Sequence, residues 1–170
     1  VPEPPRKQAE FRAAMANLSA AVNVVTTDGP HGRAGMTVSA ACSVTDSPPT
    51  VLVCVNRASR SHDILVGNGK LALNVLGAGH EDLARHFAGA TKVPTAERFT
   101  DGRWDLATHG VPVLSGACAS VVGTIVAEQV SGSHSVLFVE IDTVITSDDP
   151  GALVYFRRRF HSVGATTTAA

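Results

Sequence analysis

Between Thr37 and Ser47 the stretch TVSAACSVTDS carries a hydroxyl or thiol at almost every other position: Thr37, Ser39, Cys42, Ser43, Thr45 and Ser47. Such side chains are small, so they leave room beside a strand, and they present hydrogen-bond donors into that room. The chemistry this suits is the seating of a flat ligand with polar edges. A second set comes after the apolar run 51–55 and reads Asn56-Arg57-Ala58-Ser59-Arg60-Ser61-His62. Serines and backbone N–H groups at a helix start, with Arg57 or Arg60 adding charge, suit a phosphate. An N-cap at Ser61 is the plainer use of the same residues, and both uses stay open at this point.

Other chemistries find less support. Leu76-Gly77-Ala78-Gly79-His80-Glu81-Asp82 begins like a dinucleotide fingerprint, but Asp82 stands where the third glycine belongs, and its carboxylate would face a pyrophosphate. It reads instead as a turn with an acidic helix start. Of the seven histidines, His80 and His86 are six apart and point from different helix faces, so no metal site is expected. There is no G-x-S-x-G elbow. Cys42, Cys54 and Cys118 form no C-x-x-C pair and are expected as free, buried thiols.

Elements must hold these residues in place. At 170 residues, 44% hydrophobic and 17% charged, the chain is expected to form one domain over 1–170, with flexible tails at about 1–6 and 164–170. The formal charge is −1, aromatics make up 5%, and Arg157-Arg158-Arg159 is the sole concentrated positive run, which argues against nucleic-acid binding. No apolar stretch nears the roughly 18 residues of a membrane span, and no leader pattern is seen. A soluble, cytoplasmic protein with no membrane partner is expected.

Phe11, Ala14, Met15 and Leu18 recur at helical spacing and predict an amphipathic helix over 7–19. Strands are expected over 20–27, 34–44, 50–56 and 70–77, the third fully buried and preceded by a break at TDSPP. Short helices are expected over 61–69, ending on a glycine cap, and over 80–88. Residues 89–110 read as a surface loop anchored by Phe99 and Trp104. Two long strands, 118–130 and 134–146, flank Ser131-Gly132-Ser133, and 154–156 adds a last one. About seven strands without helical crossovers favour an antiparallel barrel over a doubly wound sheet.

FRAAMANLSAAVNVVTT, GMTVSAACSVTDSPP, NGKLALNVL, ARHFAG, ERF, the GSH turn and YFRRRFH, in this order, resemble the short-chain flavin reductases, the reductase components of two-component flavin monooxygenases. The resemblance runs from about Phe11 to Val163 and is nearest to the branch serving aromatic-ring hydroxylases, such as the 4-hydroxyphenylacetate and chlorophenol systems. It implies a mainly β flavin-binding split barrel, a Greek-key β-barrel with a few short helices, working as a homodimer. It implies an NADH-dependent enzyme that reduces FAD or FMN by hydride transfer to flavin N5 and supplies a separate monooxygenase.

On this resemblance Thr37, Val38, Ser39, Ala40, Ala41, Cys42 and Ser43 border the isoalloxazine, Gly35 and Met36 also bind the cofactor, and the segment Asn56 to Ser61, with Asn56, Arg57, Ala58, Ser59 and Ser61, holds ribityl and phosphate. Phe87, Ala88 and Gly89 close on the flavin, although Phe87 is equally placed for the core. His134 sets the nicotinamide, and Tyr155, Arg157 and Arg158 meet the dinucleotide. Ser133 stands where many relatives carry Asp, which bears on the choice of pyridine nucleotide. No acid, base or metal is implied. A flavin-binding barrel without turnover is the alternative, and a barrel offering only a dimer surface is a third reading.

Overall fold

The computed structural model describes residues 6–148 and 151–164. Apart from Arg6 and Gly164, the tails expected at 1–6 and 164–170 therefore lie outside the described residues. In chain order α1 (Arg6–Met15) is followed by β1 (Ala20–Ala21), β2 (Asn23–Thr27), β3 (Ala34–Val38), β4 (Ala41–Asp46) and β5 (Pro49–Asn56). Next come α2 (Arg60–Asn68), β6 (Lys70–Val75), α3 (Glu81–Phe87), β7 (Trp104–Asp105) and β8 (Val113–Leu114). A long hairpin, β9 (Ala119–Ser131) with β10 (His134–Thr146), precedes a short one, β11 (Ala152–Phe156) with β12 (Arg159–Val163).

Seven strands form one antiparallel sheet in the order β3-β2-β6-β9-β10-β5-β4. Its two edges, β3 and β4, are separated in the chain by Ser39 and Ala40 alone. Three Cα–Cα steps reach at most about 11 Å, so the sheet has to curl until its edges meet at this corner. No ladder among the described residues closes it. The Cys54 N–H bonds Ala40 O at 2.8 Å, holding the corner against β5. The strand expected over 34–44 is thus two strands on opposite edges. TDSPP is a hairpin turn between the second of them and β5, with Asp46 paired to Pro49.

This placement revises three expectations. β4 is exposed from Cys42 onward, so most of the hydroxyl-rich run lies on an open edge. Cys42, expected as a buried thiol, is exposed for the same reason, and Cys54 and Cys118 are only partly buried. β5 is buried at Val53 and Val55 alone, since it lies next to that edge.

β2 is buried throughout, and strand alternation sends Val24 and Val25 to opposite faces. Val25 joins Val38, Val53, Leu71 and Leu137 in a cluster plugged by Leu65 of α2. Val24 joins Leu76, Leu83, Phe87, Phe99, Trp104 and Leu153 beneath α3. Phe99 and Trp104 anchor the 89–110 segment as expected: their rings are 5.0 Å apart and each lies within 5.2 Å of Phe87. That segment also holds a 3-10 turn at Thr95–Glu97. Buried Asn74 ties down β8 and the start of β9, its Oδ1 accepting from Leu114 N at 2.9 Å and Ser120 Oγ at 2.8 Å.

α1 forms where the apolar spacing placed a helix, yet none of its residues is buried; Phe11 is 63% exposed and Met15 46%. No helix among the described residues is long and apolar enough to cross a membrane.

Candidate functional site

The start of α2 and the 89–98 segment face each other across a cavity of about 500 Å³. β3 contributes Met36 and Thr37, the end of α3 contributes Phe87, Ala88 and Gly89, and Ser59, Arg60 and Ser61 come from the start of α2. Lys92, Val93, Pro94, Thr95 and Arg98 complete the lining, which contains three cations and no carboxylate. Burial pushes the Arg98 pKa down, and the guanidinium is held by Val93 O at 2.9 Å and Phe87 O at 3.1 Å.

Small hydroxyls stitch these walls together. Ser59, not Ser61, is the N-cap of α2: its Oγ accepts from the Ser61 N–H at 3.2 Å. Ser61 is buried instead, with its Oγ 3.4 Å from both Gly35 O and Thr95 Oγ1. Thr95 Oγ1 accepts from Gly35 N–H and donates to Gly35 O, each at 3.0 Å. Gly35 has no room for a side chain, because an added Cβ would lie 2.7 Å from Phe87 Cε1.

A second cavity of about 500 Å³ shares Thr37, Ala88 and Gly89 with the first and adds Ser39, Arg85, Tyr155, Arg158 and Phe160. The Tyr155 and Phe160 rings are 5.1 Å apart, and the Arg85 guanidinium lies 5.0 Å from the centre of Phe160. Arg157 and Arg158 form the two-residue turn between β11 and β12, with φ of 48° and 62°. Both angles belong to a type I′ turn, which favours Asn-Gly, and each costs a residue with a Cβ roughly 1–2 kcal/mol. The turn divides its arginines. Arg158 lines the cavity, whereas Arg157 gives its N–H to Ala16 O at 2.8 Å and its Nε to Asn17 Oδ1 at 3.1 Å.

Beyond Tyr155 and Arg158 a hollow of about 680 Å³ continues past Ser39 and Ala40 to Arg12 and Met15 of the first helix. A further one of about 410 Å³ reaches Ala41, Cys42 and Cys54. Burial, and then the neighbouring Cys42, push the Cys54 thiol pKa up.

The structure therefore gathers Met36, Thr37, Ser39, Ala40, Ala41, Cys42, Ser59, Ser61, Phe87, Ala88, Gly89, Tyr155 and Arg158 along adjoining hollows. The hydroxyls differ in what they can offer. Thr37 Oγ1 is committed to Ala84 O at 2.6 Å and Ser59 to its cap, while Ser39 is exposed where the hollows adjoin. Val38 is buried in the core, Gly35 backs the first cavity from behind Phe87, and Ser43 lies on the exposed edge. Asn56, Arg57, Ala58 and His134 line none of these hollows. Asn56 Oδ1 caps the Ala58 N–H at 2.9 Å, Arg57 N–H bonds Ser133 O at 2.9 Å, and His134 is exposed beside Ser133 Oγ at 2.9 Å.

Arg85, Lys92, Val93, Pro94, Thr95, Arg98 and Phe160 were not among the expected site residues. The 90–98 stretch has neither strand nor helix period, so its own sequence gives no sign of which side chains turn inward. Among the described residues no group of three or more His, Cys, Asp or Glu is placed to hold a metal ion.

Residues 15–164 match the flavin reductase like domain. The chain is 49% identical over 166 residues to the 4-hydroxyphenylacetate 3-monooxygenase reductase component of Pseudomonas aeruginosa, covering 98% of this chain and 97% of that one. It is 48% identical over 158 residues to FMN reductase (NADH) RutF of Variovorax paradoxus, covering 93% and 87%. The solved structure of the Streptomyces globisporus C-1027 NADH:FAD oxidoreductase SgcE6 matches with a TM-score of 0.84 at 30% identity, over 95% of this chain and 96% of that one. With the domain match spanning nearly the whole described fold, the chain belongs to the flavin reductase family.

Proposed function

We propose that the chain is an NAD(P)H:flavin oxidoreductase that reduces free FAD or FMN, with NADH as donor, and supplies reduced flavin to a separate monooxygenase. The observation carrying this reading is the cavity at the start of α2, where Arg60, Lys92 and Arg98 meet no carboxylate and a ring-lined cavity adjoins across Thr37 and Gly89. That donor set fits a phosphate ester attached to a flat ring system. When bound, nicotinamide C4 and flavin N5 are themselves the hydride donor and acceptor, so the protein needs no general base.

The side chains then bind and orient. Arg60, on the turn whose direction the Ser59 cap sets, and Lys92 and Arg98, from the facing segment, hold the phosphate. Ser39 offers its hydroxyl to the polar edge of the ring at an exposed corner, which suits a product that must leave. Tyr155 and Phe160 offer ring faces to the dinucleotide and Arg158 meets its phosphates, while Arg85, paired with Glu81 at 2.6 Å, lies over Phe160. The names of two relatives, an FMN reductase (NADH) and an NADH:FAD oxidoreductase, support NADH and are divided on the flavin. The apolar residues Phe11, Met15 and Leu18 are 46–65% exposed, and pairing two copies of the chain over them accounts for that stripe. Light scattering during gel filtration checks the homodimer.

The test of the reaction is nicotinamide oxidation in air with no flavin, with FMN and with FAD, using NADH and then NADPH. A rate that saturates in added flavin supports the proposal and ranks the flavins. A rate no higher than the uncatalysed background with either nucleotide ends it and leaves the flavin-binding barrel without turnover.

A further inference from the structure

His62 is the one buried histidine among the described residues, at 7% exposure, and nothing in the proposed chemistry uses it. Its Nδ1 lies 2.8 Å from Asp63 Oδ1 and its Nε2 2.9 Å from Ser135 Oγ. Ser135 Oγ in turn lies 2.5 Å from Glu128 Oε1. Taken as Asp63, His62 and Ser135, the order is that of a hydrolytic triad. Two observations remove that reading. Ser135 is fully buried and lines none of the hollows described above, so no substrate reaches its oxygen. Its single proton is also committed: a carboxylate only accepts, so the hydroxyl donates to Glu128, and Nε2 must be the donor to Oγ. A general base would have to accept there.

What remains is a directed chain, His62 Nε2–H to Ser135 Oγ–H to Glu128, whose Oε1 also lies 3.5 Å from Nε2 itself. Its ends matter. His62 follows Ser61 and lies three residues after the Ser59 cap, in the turn that lines the cation-rich cavity. Ser135 follows His134 on β10, and Glu128 lies on β9. The connection from β5 to α2 is held to the same hairpin at two further levels. Asn56 pairs with His134 in the ladder, and the Arg57 N–H bonds Ser133 O at 2.9 Å. Segment 56–62 is thus fastened along one flank of the hairpin tip, with His62 as its side-chain link to the buried part of that hairpin.

We propose that His62 is a positioning residue, and that the His62–Ser135–Glu128 chain fixes the phosphate-holding turn of α2 against the hairpin that carries His134. The functional part rests on the flavin reductase reading; the mechanical part does not. Loss of the link lets the turn at 59–61 and the hairpin tip move independently, so affinity falls for a ligand seated on the turn while the hydride step, once both cofactors are bound, is spared.

The test compares three replacements in the full chain. His62→Gln places an N–H where Nε2 stands; His62→Asn places it where Nδ1 stands; His62→Phe keeps the ring without nitrogen. The expected result is that His62→Phe and His62→Asn raise the KM for FMN about tenfold with kcat within twofold, while His62→Gln stays near the parent. Ser135→Ala, which deletes one oxygen, is expected to move KM the same way even if a ring replacement does not fold, and to add nothing to His62→Phe. Amide hydrogen exchange without ligand is the second arm. In His62→Phe and Ser135→Ala, protection is expected to fall in both 60–64 and 133–137 and to hold elsewhere. If the parent reduces no flavin, the reductase reading fails, and the exchange result decides the link by itself. KM values within twofold of the parent for Asn, Phe and Ser135→Ala overturn the functional part. Protection unchanged in either segment overturns the link.

Discussion

Replacing Gly35 with alanine puts a methyl group where the first cavity's wall has no room. The new Cβ would lie 2.7 Å and 3.0 Å from two Phe87 ring carbons and 3.0 Å from Phe99 Cζ. Carbon atoms rest at about 3.5–4.0 Å, so the Phe87 ring would have to retreat by roughly 0.8 Å or more. Phe87 is 2% exposed, with Phe99 and Trp104 packed against it, so a retreating ring either breaks those contacts or intrudes on the cavity it lines. Overpacking of this kind costs about 1–3 kcal/mol, or roughly 2–12 °C in Tm for a chain of this size. Gly35 has no left-handed backbone, so crowding alone sets the loss. Phe87→Leu by itself forfeits part of the roughly 3–5 kcal/mol of a full truncation, yet it opens the space that the methyl needs. The double variant Gly35→Ala/Phe87→Leu is therefore expected to lose at least ~0.5 kcal/mol less than the two single losses added. Thermal unfolding by circular dichroism measures all three. A Gly35→Ala Tm equal to the parent's, or strict additivity in the double variant, would refute the reasoning.

Further outcomes rest on particular contacts. Arg158→Gly relieves a left-handed position at φ 62°; Tm is expected to hold or rise by a few degrees while the KM for NADH increases, and a falling Tm with unchanged KM contradicts both parts. Trp104 Nε1 is buried without a hydrogen-bond partner among the described residues. Trp104→Phe removes that unpaired donor and is expected to cost under about 1 kcal/mol, against roughly 3–5 kcal/mol for Trp104→Ala, as denaturant unfolding will show. The Thr108 hydroxyl, then the Thr108 and Ala107 backbone N–H groups, hold the Asp105 pKa at about 2. An unfolded aspartate sits near ~3.9, so this contribution is whole above about pH 4 and is lost as pH falls through about 2. Tm measured from pH 6 to pH 2 is expected to fall less steeply in Asp105→Ala; an identical acid limb rules the contribution out.

Much of the fold is legible where local rules decide it. Leu83 and Phe87 mark α3, Gly69 ends α2 in the left-handed conformation that glycine tolerates, and Phe99 and Trp104 advertise their anchoring role. The change of edge at Ser39-Ala40 is not legible. Neither residue breaks a strand, and the bend exists because β5 takes the Ala40 carbonyl, a partner far along the chain. The cap falls on Ser59 and not on Ser61 although both are equally good acceptors, and only the contact of Ser61 with Gly35 and Thr95 separates them. The cations Lys92 and Arg98 reach the cavity because the aromatic anchor behind them folds their segment back, a tertiary effect without local pattern. The apolar stripe of α1 is visible as a stripe in the sequence, but none of the described residues buries it.

The most direct test of the central claim compares FMN with riboflavin, which differ only in the phosphate assigned to Arg60, Lys92 and Arg98. Initial rates of NADH oxidation at varied flavin give both KM and kcat. The expected result is a KM for riboflavin at least about tenfold higher, equivalent to ~1.4 kcal/mol of binding, with kcat within a few-fold and the gap narrowing as salt is raised. Equal KM values for the two flavins at low salt would contradict the assignment of that cavity to the phosphate.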